Sequence, residues 1–308
     1  MKTILVPLDG SDFAARAIPF ARAIAQQQGG RIVLVRAVLT GLSDAARQAA
    51  RGEIQDARDE LARVAGNLRE NGIAAEWLVP NDEPGWAIIE QVQQQAIDLI
   101  VMSTHGRSGL GRWVYGSVAD RVLRGTSTPI MLVPPWASFN WPAIASHFRY
   151  VVPLDGSAFA QQALGPTIKL ARASAGQLIL LSAIQPPLIA LGSSVAHGAF
   201  DTAAATAAAQ GELTTVAQRL AVQGVQTTTE VVEGTPTEAI LDTVRLRQAH
   251  LIVMATHGRG GVTRALLGSV AEATLRRAPI PLLLVRIARA GAEQASGLVQ
   301  ETLAHSAG

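Results

Sequence analysis

The chain has 308 residues, 48% of them hydrophobic and 16% charged, with a formal net charge of +2. That length allows two ordinary domains, each with its own core, and so small a charge, with no stripe of Lys and Arg among aromatics, argues against nucleic acid as a partner. Cysteine is absent, which removes disulfides, thiolate zinc sites and a thiol nucleophile.

Met1-Lys2 runs directly into the strand-like Thr3-Ile4-Leu5-Val6, so no signal peptide is read at the start. No apolar run reaches the roughly 18 to 20 residues of a membrane span. The expectation is a cytoplasmic protein without a membrane partner. In chain order, Ile4 to Leu8 is a short apolar run of the kind buried on both faces of a sheet. Ser11 then supplies a helix cap, followed by Ala14, Ala17, Ile18, Ala21 and Ile24 at helical spacing. Arg31 to Val38 is the next strand, and Ile54, Ala57, Leu61, Val64 and Leu68 mark a longer helix ending at Gly72. Ala74 to Val79 reads as a strand, Ala87 to Val92 as a helix and Asp98 to Met102 as a strand. Ser117 to Leu123 is the last helix of the series and Pro129 to Val133 its last strand. Alternating strands and helices predict a parallel sheet covered on both faces.

The same series then returns. Ile4-Leu5-Val6-Pro7-Leu8-Asp9-Gly10-Ser11 is matched by Tyr150-Val151-Val152-Pro153-Leu154-Asp155-Gly156-Ser157, and Leu99-Ile100-Val101-Met102-Ser103-Thr104-His105-Gly106-Arg107 by Leu251-Ile252-Val253-Met254-Ala255-Thr256-His257-Gly258-Arg259. Gly116-Ser117-Val118-Ala119 and Pro129 to Val133 return as Gly268-Ser269-Val270-Ala271 and Pro281 to Val285. The order is kept, which marks a duplication. The expected domains are 1–134 and 149–287, with a linker at 135–148 and a tail at 288–308. Prolines in the linker cannot continue either neighbour, while Trp136, Phe139 and Trp141 predict that it is ordered. The fifth strands are short, apolar and placed at sheet edges, so the halves are expected to pair within the chain as a pseudo-dimer. A homodimer of the whole chain stays open.

The segments most alike between the halves follow the first and fourth strands, the carboxyl-end loops that flank the ligand crevice of an open parallel sheet. Gly106 to Ser117 is rich in glycine and ends by opening a helix, so backbone N–H groups and the helix dipole can meet a phosphate there. The hydroxyls of Ser117 and Ser269 add donors. Arg107, Arg112, Arg259 and Arg264 are candidates for neutralising phosphate charge. No P-loop pattern is present, and Gly109-Leu110-Gly111 lacks the third glycine of a dinucleotide fingerprint.

These loops resemble those of the universal stress protein family, whose nucleotide-binding members carry G-x2-G-x9-G-[ST] after the fourth strand. The spacing is kept here as Ser103-x2-Gly106-x9-Gly116-Ser117 and as Ala255-x2-Gly258-x9-Gly268-Ser269. The resemblance covers nearly the whole chain, in tandem form. It implies two doubly wound, five-stranded parallel α/β domains of the adenine nucleotide α-hydrolase-like kind, with strand order 3-2-1-4-5. ATP would lie in the crevice, with Mg2+ able to accompany it. The implied nucleotide-binding residues are Pro7, Asp9, Ala37, Met102, Ser103, Gly106, Gly116, Ser117 and Val118. In the second half they are Pro153, Asp155, Ala183, Met254, Ala255, Gly258, Gly268, Ser269 and Val270. Asp9 and Asp155 would meet ribose or adenine, Ala37 and Ala183 would offer backbone to adenine, and the glycines and serines would hold phosphates. Ser103 and Ala255 depart from the family glycine and would be strained if that position needs a positive φ. The first half has Asp82-Glu83-Pro84 where the second has Gly234-Thr235-Pro236, the closer match to the family.

Plainer roles exist for some of these residues. Asp9 and Asp155 could serve as helix-entry caps, and Met102 and Met254 as core residues at strand ends. His105 and His257 have no second histidine or carboxylate at zinc-ligand spacing and read as loop-fixing residues. The functional expectation is an ATP-binding regulatory protein of the stress response with an unidentified protein partner, turning ATP over slowly at most. The alternative is a scaffold of the same fold with degenerate pockets. No nucleophile with an adjacent base and no paired carboxylates repeat between the halves, which speaks against an enzyme.

Overall fold

The computed structural model describes residues 1–41, 43–104, 116–139, 141, 148–185, 201–256 and 267–286. The first half runs β1 (Thr3–Pro7), α1 (Asp12–Ala15), α2 (Ala17–Gln28), β2 (Arg31–Val35), α3 (Asp44–Glu70), β3 (Ala74–Leu78), α4 (Pro84–Gln94), β4 (Leu99–Ser103), α5 (Ser117–Gly125) and β5 (Ile130–Val133). The second half runs β6 (Arg149–Pro153), α6 (Ala158–Gln161), α7 (Leu164–Ser174), β7 (Gln177–Ile184), α8 (Thr202–Val222), β8 (Gln226–Glu233), α9 (Pro236–Leu246), β9 (Leu251–Thr256), α10 (Ser269–Leu275) and β10 (Leu282–Arg286). The tail at 288–308 lies outside the described residues.

The strands form one ten-stranded sheet in the order β3-β2-β1-β4-β5-β10-β9-β6-β7-β8. Each half therefore has the order 3-2-1-4-5, as expected for this α/β class. Pairing is parallel inside each half, and β5 meets β10 antiparallel, with Leu282, Leu283 and Leu284 opposite Leu132, Met131 and Ile130. Because successive strand residues point to opposite faces, the apolar runs split into two cores. Ile4, Val6, Val101, Met131, Leu283 and Val253 enter one. Leu5, Ile100, Leu132, Leu284 and Ile252 enter the other. Both cores cross the seam without interruption, so the halves share their apolar interior.

Two side-chain contacts brace that seam. The last carbonyls of a helix have no acceptor-to-donor partner within it. At the end of α5 they are met from the other half, where Arg286 Nη1 donates to the carbonyls of Leu123, Arg124 and Thr126 at 2.9, 2.7 and 2.8 Å. Just past α10, Trp136 Nε1 donates to the Ala278 carbonyl at 2.7 Å. The second half thus closes a helix end of the first, and the linker ties down the turn that follows α10. The described residues of the connecting segment pack through their aromatics. Phe20 of α2 packs edge-on against Phe139 and Trp141 at 5.1 and 5.2 Å, and Trp141 packs edge-on against Phe148 at 4.7 Å.

One element departs from its sequence reading. The apolar spacing from Ile54 to Leu68 marks only the later part of α3, which begins at Asp44. Its first turns alternate pairs of alanine with polar residues and are mostly exposed where described, so no stripe of large apolar side chains announces them. Among the described residues no helix is long and apolar enough to cross a membrane.

Arg286→Ala should lower stability by about 1–3 kcal/mol, since three carbonyls lose a charged donor, and should broaden the urea transition as the halves uncouple. His250 sits at the same junction, its Nδ1 accepting the Arg149 N–H at 3.1 Å. Burial, together with the Arg149 charge, holds its imidazole below the ordinary range. The unfolded chain therefore takes up this proton first as pH falls, so the stability it contributes is full above the ordinary range and lost below it. His250→Asn keeps an acceptor for Arg149, and should flatten the loss of unfolding free energy between about pH 7 and pH 5.

Candidate functional site

At the end of β1 the chain must turn sharply toward α1. Gly10 takes the turn at φ 85°, and Gly156 does the same at 79°, a region that side chains with Cβ avoid. Ser11 Oγ then accepts the Ala14 N–H at 3.2 Å and caps α1. Asp9 is not the cap. Its Oδ1 accepts the Ser11 N–H at 3.0 Å and the Ser11 hydroxyl at 2.6 Å, orienting the residue that is. Asp155, Ser157 and Ala160 repeat the arrangement in the second half.

Beyond these turns the sheet opens. β1 and β4 stay paired over only Ile4–Leu99 and Leu5–Ile100, whereas β1 follows β2 from Thr3 to Pro7. β6 and β9 part in the same way after Val151–Ile252. Each parting leaves a cavity, of about 460 Å³ in the first half and about 520 Å³ in the second. The first is lined by Pro7, Asp9, Ala37, Met102, Ser103, Gly116, Ser117 and Val118. The second is lined by Pro153, Asp155, Ala183, Met254, Ala255, Gly268, Ser269 and Val270. Gly106 and Gly258, with His105, His257 and the four candidate arginines, lie outside the described residues. Ser103 and Ala255 belong to β4 and β9. Neither has a positive φ, so the strain considered for a non-glycine residue at that position does not arise.

The far wall of each cavity is the start of a helix. α2 and α7 follow directly on the turns of α1 and α6 and have no side-chain cap of their own. α1, α4, α6, α8 and α9 begin under a side-chain acceptor, from Ser11, Glu83, Ser157, Asp201 and Thr235. α5 and α10 begin at Gly116 and Gly268, without a side-chain cap. Among the described residues the N–H groups of Ser117, Val118 and Ala119 have no acceptor, and those of Ser269, Val270 and Ala271 have none. Backbone geometry does not demand glycine there, since Gly116 and Gly268 have φ of −68° and −60°. Nor does crowding. A Cβ on Gly116 would come no closer than 3.7 Å to the Thr104 carbonyl, and one on Gly268 would stand in open space. The bare helix starts leave donors and a positive dipole end pointing into each cavity.

The universal stress protein family model matches residues 1–134 and 148–286. The chain belongs to that family. A universal stress protein of Mycolicibacterium smegmatis is 24% identical over 296 residues, 92% of this chain and 96% of its own length. One from Thermus aquaticus is 33% identical over 139 residues, 43% of this chain and 98% of its own. The crystal structure of a universal stress protein from Archaeoglobus fulgidus superposes with a TM-score of 0.69 at 23% identity, covering 92% of this chain and 98% of that one. The two matched regions agree with a tandem universal stress protein, and the structural likeness with its fold.

Two cavity residues escaped the sequence reading of this universal stress protein. Arg36, 6% exposed, is an arginine directly after the apolar Ile32-Val33-Leu34-Val35, a visible signal that was passed over. It pairs with Glu60 of α3. Glu53 lines the same cavity from a turn of α3 with no apolar stripe to betray it. Glu83, which replaces the Thr235 of the other half, both caps α4 and accepts from Arg121 Nη1 at 2.7 Å. The variation at that position therefore preserves the cap.

Gly10→Ala should cost about 1–3 kcal/mol, through its positive φ and a Cβ pressed to 2.9 Å from the Arg36 guanidinium. Gly156→Ala carries the same backbone strain but meets only the mobile end of Glu212, so thermal unfolding should show the smaller loss there.

Proposed function

We propose that this universal stress protein holds an adenine nucleotide, ATP, in one or both of its crevices and acts through that bound state rather than through rapid turnover. One observation carries the reading: helices that begin bare of any cap, at glycines the fold itself does not need, in cavities at the carboxyl ends of a parallel sheet. A free-standing helix start without a cap costs stability. A phosphate would satisfy the same amides and complement the dipole. The nucleoside would then lie along the ends of the first two strands of each half, by Asp9 and Ala37 or by Asp155 and Ala183, as the family resemblance implies. The hydroxyls of Ser117 and Ser269 at the phosphate end are hard oxygen donors of the kind Mg2+ accepts. When bound, that ion would screen the phosphate charge.

Calorimetry of the whole chain with ATP and Mg2+ tests this. Heat of binding is expected, with a rise in unfolding free energy of about 2.7 kcal/mol at a hundredfold excess over Kd. The double variant Gly116→Asp and Gly268→Asp supplies the missing caps and sets carboxylates against the phosphates. It should lose binding while its stability in the absence of ligand holds or rises by a few tenths of a kcal/mol. No heat and no stabilisation from ATP in the natural chain would reject the reading and leave the scaffold alternative.

A further inference from the structure

The two crevices share a frame, and at one buried position the difference between them is a charge. The residue before Ala37 is Arg36, and the residue before Ala183 is Ser182, 9% exposed. Arg36 lies with its guanidinium flat against the Gly10 backbone, where an added Cβ would meet Nη1, Cζ and Nη2 at 2.9, 3.0 and 3.1 Å. Its Nη1 is tethered to Glu60. Among the described residues Nε and Nη2 have no acceptor. These donors are not sealed inside the protein, since Arg36 is not among the buried polar groups left without a partner; the guanidinium lines an open crevice beside Asp9, where a ligand can meet it.

We infer that Arg36 is a specificity-determining residue of the first crevice, donating to a ribose hydroxyl of the bound nucleotide, and that Ser182 leaves the second crevice without this contact. The inference rests on the nucleotide reading above. Charge decides what Arg36 meets. Asp9 and Glu53 line the same crevice and Glu60 already holds the guanidinium, so a phosphate placed here would face three carboxylates. A sugar hydroxyl is neutral and needs both an acceptor and a donor, which a carboxylate and a guanidinium side by side provide. The bare start of α5 takes the phosphates at the opposite wall, which turns the nucleoside toward Arg36. In the second half Glu212 of α8 occupies the place of Glu60, with its carboxylate directed at Gly156. The partner for an arginine is kept there and the arginine is gone.

The chain has four methionines, of which Met102 lines the first crevice and Met254 the second. Methyl-labelled methionine spectra of the whole chain therefore read the crevices separately. Titration is with ATP, 2′-deoxy-ATP and 3′-deoxy-ATP. Loss of one of the two hydroxyls should weaken binding at Met102 roughly tenfold or more, and at Met254 far less. Arg36→Ser should abolish the discrimination at Met102. That variant strands Glu60, so the reverse change, Ser182→Arg, forms the second arm: with Glu212 as its tether, it should create discrimination at Met254. A merely structural Arg36 would move stability but not the preference for ribose. Equal binding of all three ligands at Met102 in the natural chain overturns the inference, as does discrimination that survives Arg36→Ser or that fails to arise in a folded Ser182→Arg chain. If ATP shifts neither methyl, nucleotide binding itself fails, and the inference falls with it.

Discussion

Everything at the crevices follows from two neighbouring strands sending the chain to opposite faces of one sheet. After β1 the chain turns to α1 and α2, whose Ala14, Ala17 and Phe20 sit in one core. After β4 it goes to α5, whose Ala119, Val122 and Leu123 sit in the other. Strands whose continuations diverge cannot stay paired to their ends, and β1 and β4 separate after two residue pairs. The cavity is a consequence of this topology. Among the described residues, the loop after β1 and the bare start of α5 both line it.

That geometry makes a local defect informative. Among the described residues five helix starts are satisfied by serine, threonine, aspartate or glutamate, even where the two halves use different residues, as with Glu83 and Thr235, and α2 and α7 simply continue from the turns of α1 and α6. The two starts that line the cavities are different, each entered from an extended glycine and carrying no side-chain cap. Where local rules hold almost throughout and fail at a concave site, the failure points to something outside the chain that completes it. Neither φ nor packing within the described residues accounts for Gly116 and Gly268, which leaves close approach by a ligand as the physical reason for a residue without a side chain.

Much of this was legible beforehand because it is written in short, local patterns. The duplicated Pro-Leu-Asp-Gly-Ser and Gly-Ser-Val-Ala segments mark strand-to-helix turns, and strand order follows from alternation together with the family resemblance. The start of α3 was not legible, since Asp44 to Glu53 has no apolar stripe and its helical state shows only in three dimensions. Nor were the contacts of Arg286 and Trp136. A side chain from one half that meets carbonyls more than a hundred residues away leaves no periodicity. Arg36 is the intermediate case: its charge after an apolar strand was plain, but its tether lies on α3, out of reach of any local pattern.

Joining the halves in one chain changes what the two sites can become. In a symmetric homodimer every substitution appears in both crevices at once. A tandem chain is released from that constraint while the antiparallel β5–β10 pairing keeps the same frame. The seam already shows the release. The end of α5 is closed by the Arg286 guanidinium, while the turn after α10 is tied by the Trp136 indole of the linker. The crevice walls show it again, where an ion pair between Arg36 and Glu60 stands opposite Ser182 with the matching glutamate retained. At the seam the difference is compensated, since each helix exit has a donor from outside its own half. At the crevice it is not compensated by any described contact. An asymmetry that the fold does not require, at a wall facing an open cavity, is where selection on ligand preference can act without disturbing the sheet beneath it.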